Sequence, residues 1–194
     1  MAGLRVKGIV FDMYGTLVDV GAVAEACKQV APEPGAFNSH WRAKQLEHAF
    51  LRTLMGKYRD FWKVTEEALE FVIQHFGLQV SPERRKQVME AWLHPTPYPE
   101  VQAALPKLKE KYVLAILSNG NSKMLQKGLE GAGLRPYFRW VMRGRREALQ
   151  AFARNLSACA QADAATEKRD PLCVIELLRC DGVQKFRLQG LLDQ

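Results

Sequence analysis

Two groups of residues in this chain have the types and spacing that could do chemistry. Asp12, Met13, Tyr14 and Thr16 surround Gly15 in FDMYGTLVD, residues 11–19, and Ser118 and Asn119 stand in LSNGN, residues 117–121. An aspartate in such a place can be a nucleophile, a metal ligand or a cap for a following helix. Hydroxyl and amide donors beside a carboxylate orient it and hold a substrate anion, which suits nucleophilic attack on a small anionic molecule. Taken singly, each group has a plainer reading. A lone aspartate is more often a turn or cap residue, and Ser-Asn-Gly alone reads as a helix N-cap with a turn glycine.

Position decides between the readings. LRVKGIV, residues 4–10, and YVLAILS, residues 112–118, are short apolar runs of the kind that form buried strands. Both polar groups begin where a strand ends. Parallel neighbouring strands bring Asp12, Ser118 and Asn119 to the carboxyl edge of one sheet, where open α/β sheets bind their ligands. Gly15 lets the chain turn sharply there.

Between the strands the pattern is helical. HWRAKQLEHAFLRTLMGKYRDFW, residues 40–62, spaces Trp41, Leu46, Phe50, Leu54 and Phe61 as an amphipathic helix and its continuation. TEEALEFVIQHFGL, residues 65–78, predicts a second helix with Thr65 as N-cap and Gly77 as stop. SPERRKQVMEAWLHPTPYP, residues 81–99, opens on a Ser-Pro cap and closes in a proline cluster. PEVQAALPKLKEK and SKMLQKGLEGAGL predict helices before and after the second strand. The fold class is therefore α/β: a Rossmann-like parallel-sheet core, residues 1–16 and 97–138, with a helical-bundle cap, residues 17–96, inserted after its first strand. Residues 139–194 form a divergent tail.

The 194 residues, 47% hydrophobic, suffice for a buried core and exclude global disorder. No apolar run approaches the roughly 18 residues needed to cross a bilayer. The chain enters its first strand with no room for a secretion signal, and four cysteines without paired spacing point to reduced thiols; both predict a cytoplasmic protein. The net charge of +7 comes with no nucleic-acid-binding motif, so it reads as a solvated basic surface, not a nucleic-acid site.

FDMYGTLVD, WRAKQLE and LSNGN, in that order, resemble the haloacid dehalogenase superfamily and within it the (S)-2-haloacid dehalogenases. The superfamily's first motif is D-x-[DYT]-G-[TV], and its second is a Ser or Thr after an apolar strand. Tyr14 stands where the superfamily's phosphatases carry a second aspartate, the acid for an alkoxide leaving group and a magnesium ligand. A halide needs no proton to leave, so the tyrosine fits dehalogenation and disfavours the phosphatase alternative.

The resemblance, which covers about residues 5–138, implies a metal-free and cofactor-free hydrolase of small 2-haloacids, and a homodimer. It implies that Asp12 displaces halide from C2 with inversion and that the resulting ester is hydrolysed. It places Met13 and Tyr14 in the lining of the substrate site and Thr16 in a hydrogen bond near the nucleophile. Ser118 and Asn119 would bind the substrate carboxylate and help receive the halide, and Arg42 would meet the halide. Without the resemblance, Arg42 reads as a surface ion-pair residue on an amphipathic helix. Phe61 and Trp62 fit an apolar wall near the substrate and fit core packing equally.

After GLRPYF the pattern departs. The family continues with an aspartate, a strand, a Lys-Pro pair whose lysine steadies the nucleophile, and SSNxxD, whose aspartate helps activate the hydrolytic water. Here Lys168 precedes Arg169, and no SSN occurs. Read one base out of frame, the codons for Cys173–Gln194 permit VSSNSFDVMGSKNFGFKVCWI, those from Glu147 permit KPS, and those from Asn155 permit TYRHA. The tail is thus compatible with an out-of-frame reading that begins near Phe138 or Arg139. In that case it has no selected hydrophobic pattern and is not expected to complete the sheet. EALQAFARNLSACAQA alone predicts a helix, and an inactive remnant of the family is the remaining alternative.

Overall fold

The computed structural model describes residues 8–143 and 177–178. The chain falls into two compact units. One comprises residues 1–17, 98–118 and 134–194, and the other residues 18–97 and 119–133.

The first unit is α/β. Its central strand β1, Gly8–Phe11, is flanked on one side by a strand from the middle of the chain and on the other by a short segment of the tail. The elements in chain order elsewhere are β2 (Val18–Asp19), α1 (Val23–Cys27), α2 (Pro34–Leu54), α3 (Phe61–His75), α4 (Pro82–Glu90), β3 (Thr96–Pro97), α5 (Pro99–Lys111), β4 (Val113–Ser118), α6 (Ser122–Gly131), β5 (Trp140–Arg143) and β6 (Leu177–Leu178). The sheet order is β5-β4-β1-β6, with every neighbouring pair parallel. A parallel sheet buries both faces, which is why β1 and β4 are unbroken apolar runs rather than alternating ones. Ile9, Val10, Phe11, Leu114, Ala115 and Ile116 are all buried. Phe138 closes on Phe11 edge to face, with ring centroids 6.0 Å apart. Helix α5 turns Val101, Ala104, Leu105 and Leu108 inward, the i, i+3, i+4, i+7 stripe of an amphipathic helix.

The tail contributes more than its sequence predicts. Trp140–Arg143 pairs with β4, and Leu177 and Leu178 pair with Val10 and Phe11. The tail is not expected to complete the sheet, and these two short segments nonetheless lie in it. Trp140, Val141 and Met142 are aromatic, β-branched or apolar and half-buried, which suits an edge strand whatever its evolutionary origin. The rest of the tail, including the helix predicted for residues 147–162, lies outside the described residues.

The second unit is helical, apart from the antiparallel pair β2–β3. It also takes in residues 119–133, which the sequence pattern assigns to the core. Its centre is aromatic: Phe37, Trp41 and Trp92 are fully buried, and Trp41 meets Trp92 edge to face at 5.5 Å. Gly77 stops α3 as predicted, at φ +64°, with Leu78 N–H reaching back to Ile73 O. Ser81 caps α4 and Asn121 caps α6, each accepting from the amide three residues on.

Two expectations fail here. The helix predicted over residues 40–62 starts earlier, at Pro34, and ends at Leu54. Gly56 sits at φ +66° and donates to Thr53 O, while Lys57 donates to Arg52 O, a Schellman stop that ends the helix before Phe61. Phe50 and Leu54, in the last two turns of that helix, are 64% and 68% exposed, although they belong to the expected apolar face. Thr65 is not an N-cap. Asp60 takes that place by accepting from Trp62 N–H, and Thr65 lies inside α3 with its hydroxyl on Phe61 O. Among the described residues no helix is long and apolar enough to cross a membrane.

Candidate active site

In the α/β unit the candidate side chains are placed by backbone. β1 ends at Phe11, which is in register with Ile116, so Asp12 emerges one residue beyond that pair and Ser118 two residues beyond it on the neighbouring strand. Both stand at the carboxyl edge of the sheet. Asp12 is half-buried, and its Oδ1 accepts from the Met13 amide at 2.7 Å. No helix follows it: the chain turns instead, with Thr16 and Leu17 amides both donating to Met13 O and Gly15 at φ +85°. The capping role is thereby removed from Asp12. Met13, Tyr14 and Thr16 are buried around it, Thr16 with 1% of its surface exposed. Ser118 is also buried, and it caps nothing either, since α6 takes its cap from Asn121.

The helical unit holds the other two candidates. Asn119 is exposed. Arg42, half-buried on α2, donates from Nη1 to Gln45 Oε1 at 2.6 Å and lies 5.6 Å over the Trp92 ring. The ion pair expected of a helix arginine is found, half-buried, at Arg52, which meets Glu67 at 2.6 Å. Phe61 is buried, and Trp62 is half-buried with its indole N–H on Glu66. No cluster of metal-ligating side chains occurs among the described residues.

A family model for haloacid dehalogenase-like hydrolases matches residues 6–177. The chain belongs to that family. A curated (S)-2-haloacid dehalogenase from Pseudomonas putida is 47% identical over 119 residues, 60% of this chain and 52% of the relative. The solved structure of an L-2-haloacid dehalogenase is 30% identical, superposes with a TM-score of 0.72, and is matched over 80% of this chain and 73% of that one. The Xanthobacter autotrophicus L-2-haloacid dehalogenase, solved with chloropropionic acid covalently bound, is 36% identical with a TM-score of 0.68, over 84% of this chain and 65% of that one. The chain spans about half the length of the curated relatives it matches.

Within this haloacid dehalogenase-like frame, two residues that the sequence did not single out take up notable places. Arg143 pairs in register with Ser118, which sets a cation on the strand next to it. No motif marks it, and the strand register alone reveals it. Gln45 is fully buried against Arg42; it lies within WRAKQLE, but its burial is the signal, and that needs the fold.

Proposed function

We propose that this chain is built to release halide from short 2-haloacids through an aspartyl ester, giving a 2-hydroxy acid. The observation that carries the reading is Asp12 itself: a carboxylate at the carboxyl end of the central strand, relieved of capping, with Ser118 on the adjacent strand. The Met13 amide restrains Oδ1. Oδ2 then attacks C2, a C–O bond forms with inversion, and the halide leaves with the bonding pair. Ser118 and Asn119 hold the substrate carboxylate, Met13 and Tyr14 line the site, and Thr16 steadies the loop. Arg42 receives the departing halide, where preorganised positive charge counts most in the transition state. The helices of residues 17–96 act as the cap, and no metal or cofactor takes part. Water afterwards attacks the ester carbonyl of Asp12 and returns the carboxylate.

That second half depends on an activated water, and the tail lacks the family's SSNxxD and Lys-Pro residues. Losing a general base costs about 10² to 10⁴ in rate, so the ester accumulates. Incubation with 2-chloropropionate followed by intact-mass and peptide spectrometry tests this. The expected product is a lactyl ester on the peptide holding Asp12, absent in Asp12→Asn. Steady multiple turnover would refute the stall, whereas phosphate release from a generic ester without halide release would favour the phosphatase reading. An unlabelled but folded chain would favour the inactive remnant.

A homodimer of cytoplasmic chains completes the proposal. Phe50, Leu51, Leu54 and Met55 expose apolar surface along the end of α2, with Tyr58 just beyond it. An apolar patch of this kind on a water-exposed helix suits a second copy. Light scattering should give a dimer mass for the unaltered chain and a monomer mass for Phe50→Glu with Leu54→Glu.

A further inference from the structure

Arg42 is the end of a buried polar chain whose direction is fixed from its far end. Thr65 is fully buried, and its hydroxyl donates to Phe61 O at 2.7 Å within α3. A hydroxyl has one proton, so towards Gln45 the same oxygen can only accept. Gln45, also fully buried, must therefore turn Nε2 to Thr65, at 2.6 Å. Its Oε1 is then left facing Arg42, where it accepts from Nη1 at 2.6 Å. The backbone oxygen of Thr65 is held in turn by the Trp41 indole N–H at 2.9 Å, and the Trp92 ring lies against the guanidinium. Each link is made on a helix already packed, α2 or α3. The amide cannot flip without leaving a buried donor facing a donor and an acceptor facing an acceptor.

We propose that Gln45, backed by Thr65, is a positioning residue for Arg42: a neutral acceptor that aims the guanidinium while leaving its positive charge undiminished for the halide. This rests on the halide role proposed for Arg42. An amide and a carboxylate at position 45 can both accept from Arg42 Nη1, the carboxylate only if the Thr65 hydroxyl turns from Phe61 O to donate to it. They differ in charge, because a carboxylate would neutralise part of what the leaving group needs.

The full chain is tested by single-turnover ester formation on Asp12, with 2-bromo- and 2-chloropropionate as probes. Gln45→Leu and Gln45→Glu are each expected to lower the maximal rate by about 10²-fold, as a misplaced or weakened catalytic group does. The half-saturating concentration should hardly move, since the loss falls in the transition state. The deficit should be larger for chloride, the poorer leaving group, than for bromide. Thr65→Ser should retain the rate and Thr65→Val should lose it. Gln45→Leu should cost almost nothing when added to Arg42→Ala, because its effect runs through Arg42. Equal slowing of the Arg42→Ala chain and the unaltered chain by Gln45→Leu would overturn the proposal, as would full activity in Gln45→Glu. If the unaltered chain forms no ester, the dehalogenase reading fails by itself, and nitrogen NMR of the Arg42 side chain decides the positioning. Slow guanidinium rotation in the unaltered and Thr65→Ser chains, and fast rotation in Gln45→Leu, supports it. An Arg42 signal unmoved by Gln45→Leu sinks it.

Discussion

The two units hold their candidate site residues by different means. In the α/β unit, Asp12 and Ser118 are placed by strand register and by a turn of backbone hydrogen bonds around Met13 O. In the helical unit, Arg42 is a long side chain, placed by other side chains: Gln45, Thr65 and the Trp92 ring. Backbone placement tolerates changes in the neighbouring side chains, because the sheet ladder fixes it. Side-chain placement is adjustable, and it fails one contact at a time. The difference predicts where substitutions strike activity without touching the fold.

The largest expected effect is at Asp12, the proposed nucleophile. Asp12→Asn keeps an acceptor for the Met13 amide, so the thermal midpoint should stay near that of the unaltered chain while ester labelling disappears. A matching loss of stability would mean that the carboxylate is needed by the fold, and the comparison would break. Next comes Arg42→Ala, expected to lower ester formation by about 10²- to 10³-fold, as loss of a preorganised electrostatic partner does. Arg52→Ala is the control, since it removes a half-buried ion pair with Glu67 from the same helix, worth about 1 kcal/mol of stability. Equal activity losses at the two arginines would make Arg42 merely structural.

Gly15→Ala probes backbone placement. A Cβ there meets no described atom within 4 Å, so the penalty is conformational: about 1–2 kcal/mol for an L residue at φ +85°. Thermal denaturation should show that loss together with slower labelling, because the turn carries Asp12. Gly77→Ala, at the left-handed stop of α3, should cost similar stability and leave labelling unchanged. If both glycines affected labelling alike, the distinction between the units would weaken. The smallest effect is at Cys27, fully buried in the helical unit, where burial pushes the thiol up to about 12. At pH 8 it should resist maleimide in the native chain and react after unfolding, followed by peptide mapping.

The same contrast explains what the sequence disclosed. Strand ends followed by polar residues are local signals, so Asp12, Thr16 and Ser118 were readable from two short stretches, as were β1, β4, α5 and the stop at Gly77. The Gln45–Thr65 link joins residues on different helices, and no spacing along one helix reveals it. Thr65 itself misled, because threonine is a common N-cap, and Asp60 competes for the place only once the break at Gly56 is known. A lone glycine in a helical pattern is often tolerated, so that break was hidden. Phe50 and Leu54 then had the right spacing on a face that the shortened helix does not bury. In the tail, Trp140–Arg143 and Leu177–Leu178 join the sheet without a motif to announce them.

The pairing of β1 with β4 also sets an order of events during synthesis. Gly8 finds its partner, Val113, only after the whole stretch of helices between them has left the ribosome. The helical stretch of residues 18–97 is complete before that, and its contacts are more local, so it has the shorter wait. Until β4 arrives, β1 is a naked apolar strand with both ladders unpaired, and its last residues wait longer still for Leu177 and Leu178. The segment that carries Asp12 therefore stays unsheltered at Ile9, Val10 and Phe11 until strands far along the chain have been made.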